Sequence, residues 1–265
     1  MSYSDPANPY PPSQFPTSSG KPAAGIDYMR MLSYVFENPN WFMNLLLGGL
    51  CSLIPVIGPI VLLGYRYETV IALLAVGGAR YPDFNFGRFG DYLMRGLWPF
   101  LVGLACSLVL LPFYALILVG AIVGVKAGAA IVGLMYMAML VIVPAFELIL
   151  LPMLLRAALT LDFVQAFQFE WIKDFLRRVW VELLLGLLFL CVSAMVLAPL
   201  GFLACCVGII LVGLILTLAQ ANMLFQVYSL YLTRGGTPIA INPGATPMMG
   251  SPPGSIPPVY PPKPL

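Results

Sequence analysis

The sequence predicts an all-α fold: a polytopic membrane helix bundle of about six transmembrane helices in three hairpins, each preceded by an amphipathic interfacial helix. Three observations predict it. Hydrophobic residues make up 60% of the chain and charged residues only 9%, whereas soluble domains carry about 25% charged residues. Asn38–Tyr65, Gly96–Val125 and Leu183–Thr233 contain no Asp, Glu, Lys or Arg, and each exceeds the roughly 20 residues an α-helix needs to cross the hydrocarbon core. Finally, one plan recurs three times: a short amphipathic stretch, a tryptophan, then an apolar run.

In chain order, residues 1–25 contain six prolines and residues 234–265 contain ten, so sixteen of the 25 prolines sit in these two tails. Such segments bury too little apolar area to offset the entropy of ordering, and both tails are expected to be disordered. Residues 26–233 form the membrane domain. The chain does not open with a charged n-region and an apolar h-region, so its first membrane helix is expected to act as the signal.

The first lead-in, Asp27–Glu37, sets Tyr28, Met31, Leu32 and Val35 against Arg30 and Glu37, with Asp27 as N-cap. Asn38-Pro39 fits an N-cap and first-turn proline for the helix that follows. The second lead-in sets Phe89, Tyr92 and Leu93 against Arg88, Asp91 and Arg95. In the third, Val164, Phe167, Trp171, Phe175 and Val179 recur at three- and four-residue steps, while Glu170, Lys173, Asp174, Arg177 and Arg178 take a separate face. Helices divided in this way lie in the interface, with the aromatic side among acyl chains. Tryptophan is favoured at headgroup level, so Trp41, Trp98 and Trp180 are read as interfacial anchors.

Two apolar segments follow each lead-in, giving spans at about 41–54, 60–79, 97–121, 129–153, 181–199 and 203–232. The middle pair turns near Lys126, the last at Pro199-Leu200-Gly201. The first pair has a rival reading, in which 42–64 is one kinked span. Arg66 and Glu68 fall inside 60–79, and two such groups near a helix centre cost roughly 5–6 kcal/mol on insertion scales. Arg66 is only about 10 Å along the helix from Pro59, so it can snorkel outward. Charge asymmetry decides for six spans. The N-tail, the regions near 80–96 and 156–180, and the C-tail share one side and hold eleven of the thirteen Lys and Arg. This positive-inside pattern places both tails in the cytoplasm of a multi-pass cell (plasma) membrane protein.

At this point the residues match a known pattern. Ile26–Tyr65 opens with Asp27-Tyr28 and continues to Asn38-Pro39-Asn40-Trp41, Gly48-Gly49, an Ile54–Pro59 break and Gly64-Tyr65. Pro82-Asp83-Phe84 and Ala166-Phe167-Gln168-Phe169 follow. The chain resembles the prokaryotic membrane proteins of domain of unknown function 4013 over roughly residues 26–233. Asn38 stands where that pattern has an acidic residue. The resemblance implies architecture and a prokaryotic membrane setting, and no mechanism.

Function classes can be narrowed further. The chain has no histidine, which removes Ser-His-Asp and Cys-His catalysis and histidine metal sites. No catalytic, metal or cofactor-binding set is legible. The five cysteines all lie in apolar stretches and read as small hydrophobes. A net charge of +2 without a basic run argues against nucleic acid. Arg66, Glu68 and Glu147 are the candidate intramembrane polar residues, with Arg66 and Glu147 as the pair to test for a solute pathway. A structural ion pair is the plainer expectation. Pro55, Gly58 and Pro59 mark a candidate helix break, read as a turn between helices rather than a re-entrant or unwound transport element. Gln220, Asn222 and Gln226 are expected to bond neighbouring helices, and Gly120, Gly124 and Gly128 have the spacing of a close helix contact but fit a flexible loop at the Lys126 turn equally well. The expected partners are the lipid bilayer and proteins reached through the proline-rich tails. The expected function is that of a non-enzymatic membrane organiser; the alternative is a carrier or permease for a lipid or small solute.

Overall fold

The computed structural model describes residues 25–76, 81–115, 118, 128–203 and 205–242, and these are helical with no strand among them. Helix α1 (Tyr28–Ser33) starts where Asp27, extended at φ −92° and ψ 98°, accepts the Arg30 N–H at 3.1 Å, the capping role expected of it. A 3-10 turn, Tyr34–Phe36, leads towards α2 (Trp41–Ser52). Asn38 does not cap α2. Its Oδ1 accepts the Asn40 N–H at 2.8 Å in an Asx turn, and Asn40 takes the N-cap position.

The break at Pro55, Gly58 and Pro59 is a tight turn between α2 and α3 (Ile57–Val76). The first unit is therefore two helices, not one kinked span. Val56 takes φ 64°, a left-handed conformation that costs a non-glycine residue about 1–3 kcal/mol. At Gly58 a Cβ would lie 2.1 Å from the Cys51 carbonyl oxygen, so only glycine lets the two helices close so sharply. Pro59 sits in the first turn of α3, where its missing N–H forfeits no intrahelical bond.

Helix α4 (Phe89–Ser107) continues through a 3-10 turn, Leu108–Leu110, as far as Ala115. Helices α5 (Gly128–Thr160), α6 (Phe169–Leu203) and α7 (Cys205–Thr233) complete the bundle. The turn expected at Lys126, with Gly120 and Gly124, lies outside the described residues. Among the described residues, five segments are long and apolar enough to cross a membrane: Ile57–Ala75, Phe86–Ala115, Ile142–Thr160, Phe169–Leu203 and Gly208–Thr233. The span expected at 41–54 falls short. α2 has 12 residues, about 18 Å of helix against about 30 Å of hydrocarbon.

The lead-ins also differ from expectation. Only the first is a separate helix. The second is the opening of α4 itself, and the third is joined to the rest of α6 through a kink at Val179, where φ is −137° and ψ 18°. Their apolar faces meet protein rather than acyl chains. Met31, Tyr34 and Val35 of the first, Tyr92 of the second, and Trp171, Ile172, Phe175 and Val179 of the third are all buried. Burying an aromatic face against neighbouring helices satisfies the same amphipathic pattern that an interface would satisfy, so periodicity alone could not separate the two.

Helices α3 and α4 approach most closely at two glycines. A Cβ on Gly64 would stand 1.8 Å from the Tyr92 carbonyl oxygen, and one on Gly96 1.9 Å from that of Ile60. Backbone thus meets backbone, with α3 and α4 antiparallel. The C-terminal tail expected from residue 234 is extended but fastened as far as Asn242. Trp171 Nε1 donates to the Thr237 carbonyl at 2.9 Å, the Ile239 N–H to Tyr228 Oη at 2.8 Å, and the Asn242 N–H to the Leu159 carbonyl at 2.9 Å.

Candidate functional site

The described polar side chains gather at one end of the bundle, where α2 begins, α3 ends and α4 begins. One group there is a latch. The Asp83 carboxylate accepts amide N–H bonds from Asn38 (2.9 Å), Asn40 (2.8 Å) and Asn44 (3.0 Å). Asn38 also donates to the Tyr81 carbonyl at 3.1 Å, and Asn44 Oδ1 accepts the Phe84 N–H at 2.9 Å. Partial desolvation pushes the Asp83 carboxyl up, but the three amide donors outweigh it and hold the group below the usual carboxylate range. An ionised acid at position 38 could not donate to Asp83, so the departure at Asn38 suits its partner. Tyr65 Oη donates to the Pro82 carbonyl at 2.8 Å and Tyr81 Oη to that of Val35 at 2.7 Å. The latch thereby ties the chain entering α2 to the chain leaving α3.

On α3, Glu68 is fully buried between two arginines. Arg88 grips it with both terminal nitrogens, Nη2 at 3.0 Å from Oε2, and Arg95 Nη1 donates to the same Oε2. Arg95 is itself buried, while Arg88 is partly open and also faces Asp91 at 3.5 Å. The sequence pattern placed Arg88 and Arg95 on a polar lead-in face; the fold turns both onto α3. With Asp91 counted, two guanidinium groups face two carboxylates.

Arg66 lies on the other side of α3. Its Nη1 donates to Gln220 Oε1 of α7 at 2.7 Å and its Nη2 to Tyr67 Oη at 2.6 Å, with the guanidinium 4.7 Å from the Tyr67 ring centre. Its Nε is buried without a hydrogen-bond partner among the described residues. Glu147 on α5 is half-buried within electrostatic reach of Arg66, but the described contacts include no ion pair between them. The three candidates therefore do not form one constellation: Glu68 belongs to the α3–α4 contact, and Arg66 bridges α3 to α7.

Further polar contacts secure the same end. Arg156 Nε donates to the Gln165 carbonyl at 2.7 Å and its guanidinium lies 5.2 Å from the Trp171 ring. Tyr231 Oη donates to Asp174 at 2.9 Å, and Arg234 pairs with Glu182. The Asp27 N–H donates to Gln226 Oε1 at 2.7 Å, and Gln226 Nε2 donates back to the Asp27 carbonyl at 3.1 Å. Gln220 and Gln226 thus bond neighbouring elements, as expected of them. Of the tryptophans, Trp180 stands exposed just past the Val179 kink, whereas Trp41 and Trp98 are partly buried.

The turn, the Gly64 crossing and the Asp83 latch unite the residues that the sequence pattern had singled out separately. The sequence model of the family described as protein of unknown function (DUF4013) matches residues 47–206, more than half of the chain. The chain belongs to this family. The DUF4013 match contains Gly48-Gly49, Ile54–Pro59, Gly64-Tyr65, Pro82-Asp83-Phe84 and Ala166–Phe169. It begins after Asp27-Tyr28 and Asn38–Trp41, so all three asparagines of the latch precede it and Asp83 lies within. No curated protein and no solved structure matches the chain.

Sequence reasoning missed the Arg88–Glu68–Arg95 cluster and the latch. A signal for the first was present. Glu68 is an acid in a helix otherwise suited to the membrane, and a buried carboxylate calls for cationic partners. Arg88 and Arg95, seven residues apart, lie on one helical face and could have been offered.

Proposed function

We propose that this DUF4013 protein is a non-enzymatic integral membrane organiser that gathers other components at the cytoplasmic face of the cell membrane. The observation that carries this reading is where the two ends of the body leave it. The start of α1 is bonded to α7 through Asp27 and Gln226, and residues 237–242 run against α5, α6 and α7 at the same charged end. Asp27 and residues 237–242 therefore meet the body at the same end, which supports a reading in which both proline-rich tails extend from one face. The buried charges support the same reading, because Glu68 and Arg66 are engaged in joining helices. Deleting residues 1–24 and 243–265 should remove stoichiometric association with other polypeptides while the bundle still accumulates. Undiminished association of the truncated bundle would count against the role of the tails.

A carrier for a lipid or small solute is the second reading. It is favoured by Arg66 Nε, which has no hydrogen-bond partner among the described residues, and by Glu147 within electrostatic reach of Arg66 with no ion pair among the described contacts. In that case Arg66→Ala or Glu147→Ala stops flux without preventing folding; normal flux in both variants sinks it.

A further inference from the structure

We infer that the charged ends of α5, α6 and α7 form a docking groove for an extended segment of a partner protein, and that residues 237–242 of this chain are its built-in occupant. The groove reads main chain. Tyr231 Oη accepts the Thr237 N–H at 2.9 Å, and Trp171 Nε1 donates to the Thr237 carbonyl at 2.9 Å. Tyr228 Oη accepts the Ile239 N–H at 2.8 Å, and the Leu159 carbonyl accepts the Asn242 N–H at 2.9 Å. A longer bond, 3.3 Å, runs from Asn242 Nδ2 to the Thr160 carbonyl. A side chain is read as well: Ile239 is 3% exposed, while Pro238 and Ala240 beside it are open to solvent. Main-chain bonds that give affinity, with an inward side chain that gives choice, are how extended peptides are recognised.

The walls stand without the occupant. Tyr231 Oη donates to Asp174 at 2.9 Å, and its ring packs against Trp171 and Phe175 of α6. Arg156 holds the Gln165 carbonyl and lies over Trp171. None of these contacts uses residues 237–242, so the groove keeps its shape when the segment leaves. The tether is separate too. Arg178 and Arg234 each donate to the other's carbonyl, and Arg234 pairs with Glu182. Two glycines follow that clasp. Gly235 turns the chain at φ 76°, and Gly236 passes over Tyr231, whose ring a Cβ there would meet at 2.3 Å. The segment can therefore leave its seat while the clasp holds.

The seat defines the partner. Its segment is extended and carries glycine three residues before an aliphatic anchor, as Gly236 stands to Ile239. The two positions between them accept other side chains, because Thr237 and Pro238 are both exposed. This inference rests on the organising reading for its use in the membrane, and adds a surface to it. The two fail separately: removing residues 1–24 and 243–265 leaves both the groove and its occupant in place.

The test uses the full chain in mild detergent and a fluorescently labelled synthetic peptide of residues 235–244, followed by anisotropy. Ile239→Asp puts a charge on the buried anchor and empties the groove. This variant is expected to bind the peptide saturably, with half-saturation below about 1 mM, the effective concentration that a short tether supplies. The parent, whose groove is filled, should bind at least about tenfold more weakly, and a peptide carrying the Ile239→Asp change should not bind the variant. Gly236→Ala, which drives a Cβ into the Tyr231 ring and leaves Ile239 intact, makes the same test if the first variant fails to accumulate. No saturable binding to either variant at about 1 mM overturns the inference, and so does equal binding by parent and variant.

Discussion

At the charged end of the bundle, the α3 and α4 backbones touch through Gly64 and Gly96, and Glu68 is enclosed by two arginines. Along the other half, Gly213 of α7 has open space where a Cβ would point. There Leu188, Val192, Met195, Leu200, Phe202 and Leu203 stand exposed on α6. The two halves are built for different surroundings. In the first, specificity comes from close backbone approach and from charges that need each other. In the second, lipid takes the place of packing partners, and apolarity is almost the only requirement. The contrast shows that an ionisable residue in an apolar helix can belong to a helix–helix contact instead of a passage.

The largest expected effect breaks the comparison at its tightest point. Gly96→Ala forces a Cβ into the Ile60 carbonyl, 1.9 Å away. Separating two helices to admit it should cost more than about 4 kcal/mol. Gly213→Ala meets nothing within 4 Å and should be neutral or stabilising by up to about 1 kcal/mol. Thermal unfolding of the two variants in the same detergent checks both; equal effects would erase the distinction between the halves.

Glu68→Leu comes next. It strands Arg95 in the α3–α4 contact without its carboxylate and should cost about 3–5 kcal/mol. Adding Arg88→Met and Arg95→Met should restore most of that loss, because an apolar contact of similar volume replaces a buried cluster well. If the triple variant unfolds no later than the single one, the charges do more than join helices.

The smallest effect concerns the latch. Asp83→Ala should cost about 1–2 kcal/mol through its lost amide bonds. The folded Asp83 carboxyl titrates below its unfolded value. Its contribution is therefore complete at neutral pH, fades as pH falls through about 3.9, and is gone below the depressed folded value. Stability measured against pH should show a shallower acid limb in Asp83→Ala than in the parent.

Much of the fold was legible because hydropathy and charge act locally. The charge-free stretches located α2, α4, α6 and α7, and Pro55-Val56-Ile57-Gly58-Pro59 marked its turn. Amphipathic periodicity placed Trp171 and Phe175 on the apolar face of their helix without saying what would cover it. In the structure that cover is Tyr231, with ring centres 5.4 and 4.9 Å away. The shortness of α2 was hidden because the apolar run continues through the turn into α3. The cluster was hidden for another reason. Glu68 and its arginines are separated by 20 and 27 residues, and only the Gly64–Gly96 approach brings their helices together.

The most direct test of the organising role is native mass spectrometry of the full chain, extracted gently from its own membrane. A second polypeptide retained at fixed stoichiometry, and lost when residues 1–24 and 243–265 are removed, is the predicted result. A protein that carries only a particular lipid or solute, with or without its tails, would contradict it and favour a carrier built around Arg66 and Glu147.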